Sequence, residues 1–357
     1  MKNSKQALFN LLFFSTLLAL FSACGASTTL RVLQPAMMKI PDHITTIAVV
    51  DRSKPAKGWL NTLEGLGSGE GIGQDKEGRK RAVQGLTEAL SKTPRFTVKG
   101  TGVELTGSST SNSMLPPLDW KDIENYCNQY GADAIAIIEM FDSDQSIHTN
   151  RREYKEKNKE KVEVTRVSFS AARRLNVKIG WRLYDPKTKV ILDEVVTSKG
   201  KDNTGTGDTE QKAKSNLPSA YRIVEDISFD AGLDYGSRIA PTWTTLKRNY
   251  FSSAKGAYDE EMKKAVRYVE SGDWMKAAEI WQAVADQKND MKATGKAVFN
   301  IAVANECLGR LDSALDWATK AYNEHGVSEA KAYIDTLKMR QNDQRKLEQQ
   351  LVKPNKV

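Results

Sequence analysis

The chain has 357 residues, 39% of them hydrophobic and 27% charged, with a formal net charge of +8. That composition excludes a disordered or collagen-like polypeptide and leaves room for two domains of ordinary size. The basic excess suits anionic surroundings such as lipid headgroups or acidic cell-wall polymer, but it is too diffuse for a nucleic-acid-binding protein.

Lys2 and Lys5 precede an apolar run from Ala7 to Phe21, broken only by Asn10, Ser15 and Thr16. This is the layout of a secretory signal, and at about 15 residues the run is shorter than the roughly 20 that a membrane-spanning helix needs. Phe21-Ser22-Ala23-Cys24-Gly25 resembles the lipobox of bacterial lipoproteins, with Phe21 where Leu is usual. The resemblance implies that the Cys24 thiol takes a diacylglycerol thioether with palmitate-type chains before cleavage ahead of it, each buried methylene contributing about 0.8 kcal/mol to the anchor. The alternative is an ordinary secretory signal with an incidental cysteine. No Asp and no acidic run follows Cys24, which by the same resemblance implies the outer membrane, on its periplasmic side. Residues 1–23 are thus expected to be the signal and 24–40 a tether.

Beyond Pro41, the β-branched run Thr45 to Asp51 predicts a core strand. A glycine-rich loop leads to a helix over 79–90, with Ala82, Val83, Leu86, Ala89 and Leu90 at helical spacing, and Pro94 precedes a second strand, Arg95 to Val98. Asp119 is placed to cap a helix that carries Ile123, Tyr126, Cys127 and Tyr130 on one face and stops at Gly131. Ala132 to Met140 is nearly all apolar, the pattern of a strand covered on both faces. From Val162 to Ser198 the period shifts towards two, and Asp185-Pro186-Lys187-Thr188 reads as the turn of a β-hairpin. A helix over 221–239 completes a β-α-β-α-β-β-β-α order, which predicts an α/β sandwich over 41–240: a mixed sheet with its helices on one face. The order resembles the amino-terminal domain of the translocation protein TolB and the periplasmic domain of the curli-export lipoprotein family, in the strand Ile47 to Asp51, the helix and strand Ala82 to Val98, and Gly131-Ala132-Asp133. That resemblance implies an assembly or interaction domain, and no channel, because no convincing membrane hairpins accompany it.

After Tyr250 the pattern changes. Ala265, Tyr268, Gly272-Asp273-Trp274, Ala277, Trp281 and Val284 are spaced as a tetratricopeptide helical hairpin. Ala302, Gly309-Arg310-Leu311, Ala314, Ala318 and Ala321 repeat the layout, with Gly272 and Gly309 separated by 37 positions against the family's period of roughly 34. Two units seldom suffice alone, so 328–351 is expected to cap them through Ala332, Tyr333, Leu337 and Leu347, giving an all-α repeat domain over 250–351 and an α+β chain as a whole. Lipobox, TolB-like body and repeats together resemble an uncharacterised family of Bacteroidota lipoproteins, known mainly as a domain of unknown function, which implies architecture and location but no mechanism.

Chemistry-bearing candidates are sparse. Glycines between Gly65 and Gly73 lie between a strand and a helix, where phosphate loops occur, but neither Gly-Lys-Ser/Thr nor a dinucleotide fingerprint is present. Arg151 to Lys161 holds six basic and three acidic residues; it reads as a solvated excursion or as a contact with anionic lipid or peptidoglycan. Asp142 and Asp144 follow the central strand, near where ligands bind in α/β sheets, yet no nucleophile is identifiable beside them. His43, His148 and His325 are scattered, so no metal site is expected. Cys127 and Cys307 read as buried apolar residues before they read as a disulfide, and Trp274 and Trp281 as repeat core before a sugar platform. No cofactor and no catalysis are expected. The leading expectation is a membrane-anchored scaffold for a protein or peptide partner of the cell envelope; an accessory factor for a cell-wall enzyme and a hydrolase with an unrecognised site are the other readings.

Overall fold

The structure is a computed structural model and describes residues 25–54, 72–107, 113–287 and 289–351. Cys24 and Gly65 through Gly71 lie outside the described residues. The protein is α+β, with a sheet-rich N-terminal region and a helical C-terminal region. The contacts of the described residues divide it into two units: Pro35–Thr242 with residues 347–351, and Trp243–Lys346 with residues 25–34. No described helix is long and apolar enough to cross a membrane.

In chain order the elements are β1 (Gly25–Gln34), β2 (Thr46–Lys54), α1 (Ile72–Lys92), β3 (Thr97–Thr106), α2 (Trp120–Tyr130), β4 (Ala134–Lys157), β5 (Glu163–Asp185), β6 (Val190–Gly207), α3 (Glu210–Ser215), α4 (Ala220–Ile239), β7 (Thr242–Phe251), α5 (Asp259–Glu270), α6 (Trp274–Ala285), α7 (Met291–Cys307), α8 (Leu311–Asn323) and α9 (Glu329–Leu351). Of these, β1, β7 and the short α3 are absent from the sequence expectation. The stretch expected as a tether, 24–40, contains β1, which pairs with β7 in a two-stranded sheet. Arg31 on β1 sets its guanidinium 4.8 Å from the Trp243 ring on β7.

The first unit holds a five-stranded sheet in the order β3-β2-β4-β5-β6. β2 lies parallel to both β3 and β4, while β4, β5 and β6 form an antiparallel meander. The expectation of helices on one face is corrected: they lie on both. Alternate residues of β2 explain why. Ile47 and Val49 enter a core with Ala82, Leu86 and Leu90 of α1 and Ile223, Val224 and Ile227 of α4, whereas Ala48 and Val50 enter a second core with Ile123 and Cys127 of α2. A strand apolar on both faces exposes oily surface twice, and each surface needs its own helix. At the far end of the sheet Trp181 of β5 stacks on Tyr235 of α4, with ring centroids 4.5 Å apart.

α1 and α4 meet backbone to backbone. A Cβ built on Gly85 would lie 2.1 Å from the Phe229 carbonyl oxygen, and one on Gly232 would lie 2.1 Å from that of Ala82. Neither obstacle is a side chain that can swing away. We therefore expect Gly232→Ala to lower unfolding free energy by about 1–3 kcal/mol, as over-packed cores do, with the loss read from the urea midpoint; an unchanged midpoint would mean the helices can separate at no cost.

Candidate functional site

In the helical unit β7 is held against α7 by polar groups buried in an otherwise oily helix. Asn300, fully buried, accepts from the Phe251 N–H at 2.8 Å and donates to the Phe251 carbonyl at 2.7 Å, the two bonds a neighbouring strand would make. Two turns on, the Glu306 carboxylate receives both guanidinium arms of Arg248 at 2.6 and 2.8 Å, the Tyr333 hydroxyl at 2.7 Å and the Arg340 Nε at 3.4 Å. Burial alone would push the Glu306 carboxyl up, but the bonds from Arg248 and Tyr333, with the charges of Arg248 and Arg340, hold it below its ordinary value. Burial and the neighbouring carboxylate push the Tyr333 hydroxyl far above the usual tyrosine range, so it stays a donor.

Of these residues Arg248, Phe251 and Tyr333 line a cleft of about 590 Å³, bordered by Gly25–Ser27 of β1, Lys247–Phe251 of β7, Phe299, and Glu329, Ala332, Tyr333 and Thr336 of α9. Its floor is aromatic: Phe251 meets Phe299 edge-on at 5.5 Å, and Phe299 meets Tyr333 at 5.4 Å. Apolar rings beside a few oriented polar groups are the usual makeup of a binding cleft. Because Arg248 is spent on Glu306, the exposed cation at the rim is Lys247.

The residues expected at repeat positions lie in the same unit. Ala265, Ala277, Trp281, Ala302 and Ala314 are fully buried, while Tyr268, Trp274 and Leu311 pack partly buried on the same core. Gly272 and Gly309 have φ of +82° and +76° at the turns of the two helical hairpins. The turns are closed alike: the Gly272 N–H reaches the Val269 carbonyl and the Asp273 N–H that of Tyr268, and Gly309 and Arg310 repeat this with Glu306 and Asn305. Tyr250 of β7 lies 6.2 Å from Trp274 and 6.1 Å from Trp281, so both tryptophans contribute to the core against β7.

The sheet unit offers two further clusters. At the end of β2, Asp51 pairs with Arg79 of α1 at 3.4 Å and takes the Ser53 backbone N–H at 2.8 Å. Beside it Asp75, in the first turn of α1, accepts from the Ser143 hydroxyl, with Gln74 donating to the same hydroxyl at 3.2 Å. Burial first, then the charges of Asp142 and Asp144, push the Asp75 carboxyl up to about 6 against the bond from Ser143 and the charge of Arg79. Asp142 and Asp144 thus act on Asp75, which shares Arg79 with Asp51, and sequence reasoning missed both Asp75 and Asp51; Ser143 and Ser53 have their hydroxyls turned to carboxylates. Elsewhere His43 lies 3.0 Å from Asp185 in a depression that Cys127 also lines, a grouping that suggests a thiol nucleophile. Burial, with Asp133 and Asp185, pushes the Cys127 thiol up to about 11, the reverse of what a nucleophile needs. Cys127 and Cys307 are both free. Among the described residues no three His, Cys, Asp or Glu side chains are grouped to hold a metal ion.

Two titrations with opposite signs follow. Asp75 is raised in the folded state, so its contribution is largest below the ordinary carboxylate value and is lost as pH rises from about 4 to about 6, by on the order of 1–3 kcal/mol. Asp75→Asn should therefore match the parent near pH 4 and exceed it in stability near pH 8; equal stability at both would show the carboxyl ordinary. Glu306 is lowered, so its contribution stands above the ordinary value and is lost as pH falls through its folded value. Glu306→Ala, which leaves Arg248 facing an empty partner, should cost roughly 3–5 kcal/mol in denaturant unfolding at neutral pH.

No curated protein matches the chain. Among solved structures it is similar to the PelC dodecamer from Paraburkholderia phytofirmans, at 8% identity over 60% of this chain and 98% of that one with a TM-score of 0.24. It is also similar to the hypothetical protein CT253 from Chlamydia trachomatis, at 8% identity over 55% of this chain and 97% of that one with a TM-score of 0.20. Both likenesses are too distant to bear on function. Residues 263–339 match Domain of unknown function (DUF6340), and residues 44–251, more than half of the chain, match Domain of unknown function (DUF8603), so the chain belongs to the DUF8603 family.

Proposed function

We propose that the protein is a lipid-anchored lipoprotein of the Bacteroidota type, tethered through Cys24 to the periplasmic side of the outer membrane. There it acts without catalysis as an interaction or assembly scaffold, its tetratricopeptide-like helical unit holding a peptide segment of an envelope partner. The observation that carries the binding part is the cleft over Phe251, Phe299 and Tyr333, an aromatic floor with an open mouth beside the strand β7. The likeness of the turns at Gly272 and Gly309 supports the repeat reading. Small residues at the helix contacts, Ala265, Ala277, Ala302 and Ala314, let paired helices approach as such repeats require. The anchor rests on the charged, apolar and small-residue order ahead of Cys24.

Two measurements test this. Cys24→Ser should move the protein from the membrane to the soluble fraction of cells and remove the acyl mass; unchanged fractionation and mass would defeat the anchor. A photo-crosslinking residue at Ala332, which is exposed at the cleft, should capture a reproducible envelope protein, whereas the same probe at Asp335, which lies outside the lining, should not. Equal capture at both positions, or none at either, rejects the cleft as the binding site.

A further inference from the structure

The charged stretch from Arg151 to Lys161 is part of a long hairpin. β4 and β5 stay paired from Ile135 with Tyr184 to Lys157 with Glu163, while β6 stops pairing at Phe169 with Gly207. Beyond that point the strands Arg152 to Lys157 and Glu163 to Ser168 run on for about 20 Å, and among the described residues no third strand pairs with them. Every residue from Arg151 to Lys157 is exposed.

Three of the four carboxylates of this ribbon pair with its own cations. Glu153 lies 2.5 Å from Arg151, Glu163 2.7 Å from Lys155, and Glu156 2.8 Å from Arg166. Arg152, Lys157, Lys159 and Lys161 make no ion pair among the described residues, and against them stands Glu160 alone, which takes a hydrogen bond from Asn158 at 3.0 Å. The surplus positive charge therefore gathers at the tip. That tip is ordered: the Asn158 side-chain oxygen accepts from the backbones of Glu160 and Val162 at 3.1 and 2.9 Å, and the Asn158 N–H reaches the Val162 carbonyl at 2.9 Å. Two apolar side chains stand in the open beside the cations, Val162 at 57% exposure and Tyr154 at 40%.

Cations flanking a phenol and a small apolar group match an anionic lipid interface, where phosphates meet the acyl boundary. Insertion across the hydrocarbon is ruled out by charge on both faces of the ribbon, Arg151, Glu153 and Lys155 alternating with Arg152 and Glu156. We propose that the tip of the β4–β5 ribbon docks on an anionic lipid bilayer, Lys157, Lys159 and Lys161 taking headgroup phosphates while Val162, and Tyr154 further along the ribbon, settle at the interface. The contact uses none of the residues that line the cleft and does not rest on an anchor at Cys24.

Lysine acetylation read by mass spectrometry tests it on the full-length chain, mixed with vesicles of phosphatidylcholine or of phosphatidylcholine with phosphatidylglycerol. Anionic vesicles should slow labelling of Lys157, Lys159 and Lys161 about fivefold or more, the effect of one cation near a charged surface. High salt should restore it. Lys187, at the opposite end of β5, should label at one rate throughout. Lys159→Glu with Lys161→Glu should abolish the protection of Lys157, and the matching arginine pair should keep it. Equal labelling with both vesicle types overturns the proposal. So does equal protection by soluble polyglutamate, which would assign the tip to an acidic polymer or protein.

Discussion

A buried glutamate held by two arginines and a tyrosine organises each unit. In the helical unit Glu306 joins Arg248 from β7 to Tyr333 and Arg340 from α9. In the sheet unit Glu139 of β4, with no exposed surface, meets Arg52 at 3.0 Å, Arg182 at 3.3 Å and the Tyr184 hydroxyl at 2.7 Å. The same arginines reach out to the carbonyls of Pro116 at 2.9 Å and Leu115 at 2.7 Å, which ties the chain ahead of α2 to the sheet. An ionised carboxylate in an oily interior is tolerated only when fully paired. The glutamates therefore act less as sources of stability than as constraints on arrangement, since only one placement of the partner elements satisfies them.

Much of the fold was legible because apolar spacing carries it. The run Ile47 to Val50, the helical faces of α1 and α2 and the Asp-Pro turn between β5 and β6 follow from residue order alone. Layering was not legible in the same way: a strand apolar on both sides demands two covers without naming the helices that supply them. β1 and β7 were missed because their alternation mixes Thr, Arg and Lys with apolar residues, and each becomes a strand only through its partner. The outer half of β4 was missed for a related reason, since charged residues have little preference for strands and are held there by the register with β5.

The polar clamps escaped pattern reading although a signal was present. Glu139 interrupts Ala134 to Phe141, and Asn300, Asn305 and Glu306 interrupt the apolar course of α7. A lone charge inside an oily run costs too much to be there without a partner, but its partners lie far away in sequence, on β2, β5, β7 and α9. The cleft shares that origin, because its walls come from four segments that only folding brings together. The acid cluster at Asp75 was half visible, through Asp142 and Asp144 after the central strand. Asp75 itself comes from the opening of α1, a turn that no local pattern ties to β4.

β5 belongs to two structures at once. Its later half carries Trp181, stacked on Tyr235 in the core, and its first residues, Glu163 to Ser168, form one side of the solvent-exposed ribbon. The strand is continuous from Glu163 to Asp185, and its only slip against β6 falls at Leu183 and Tyr184, beyond the tryptophan. The ribbon is thus built as a strut and not as a tassel: load applied near Lys161 has no joint in which to dissipate before it reaches the packed rings, and the stiffness of the outer hairpin is set by the sheet in which it is rooted.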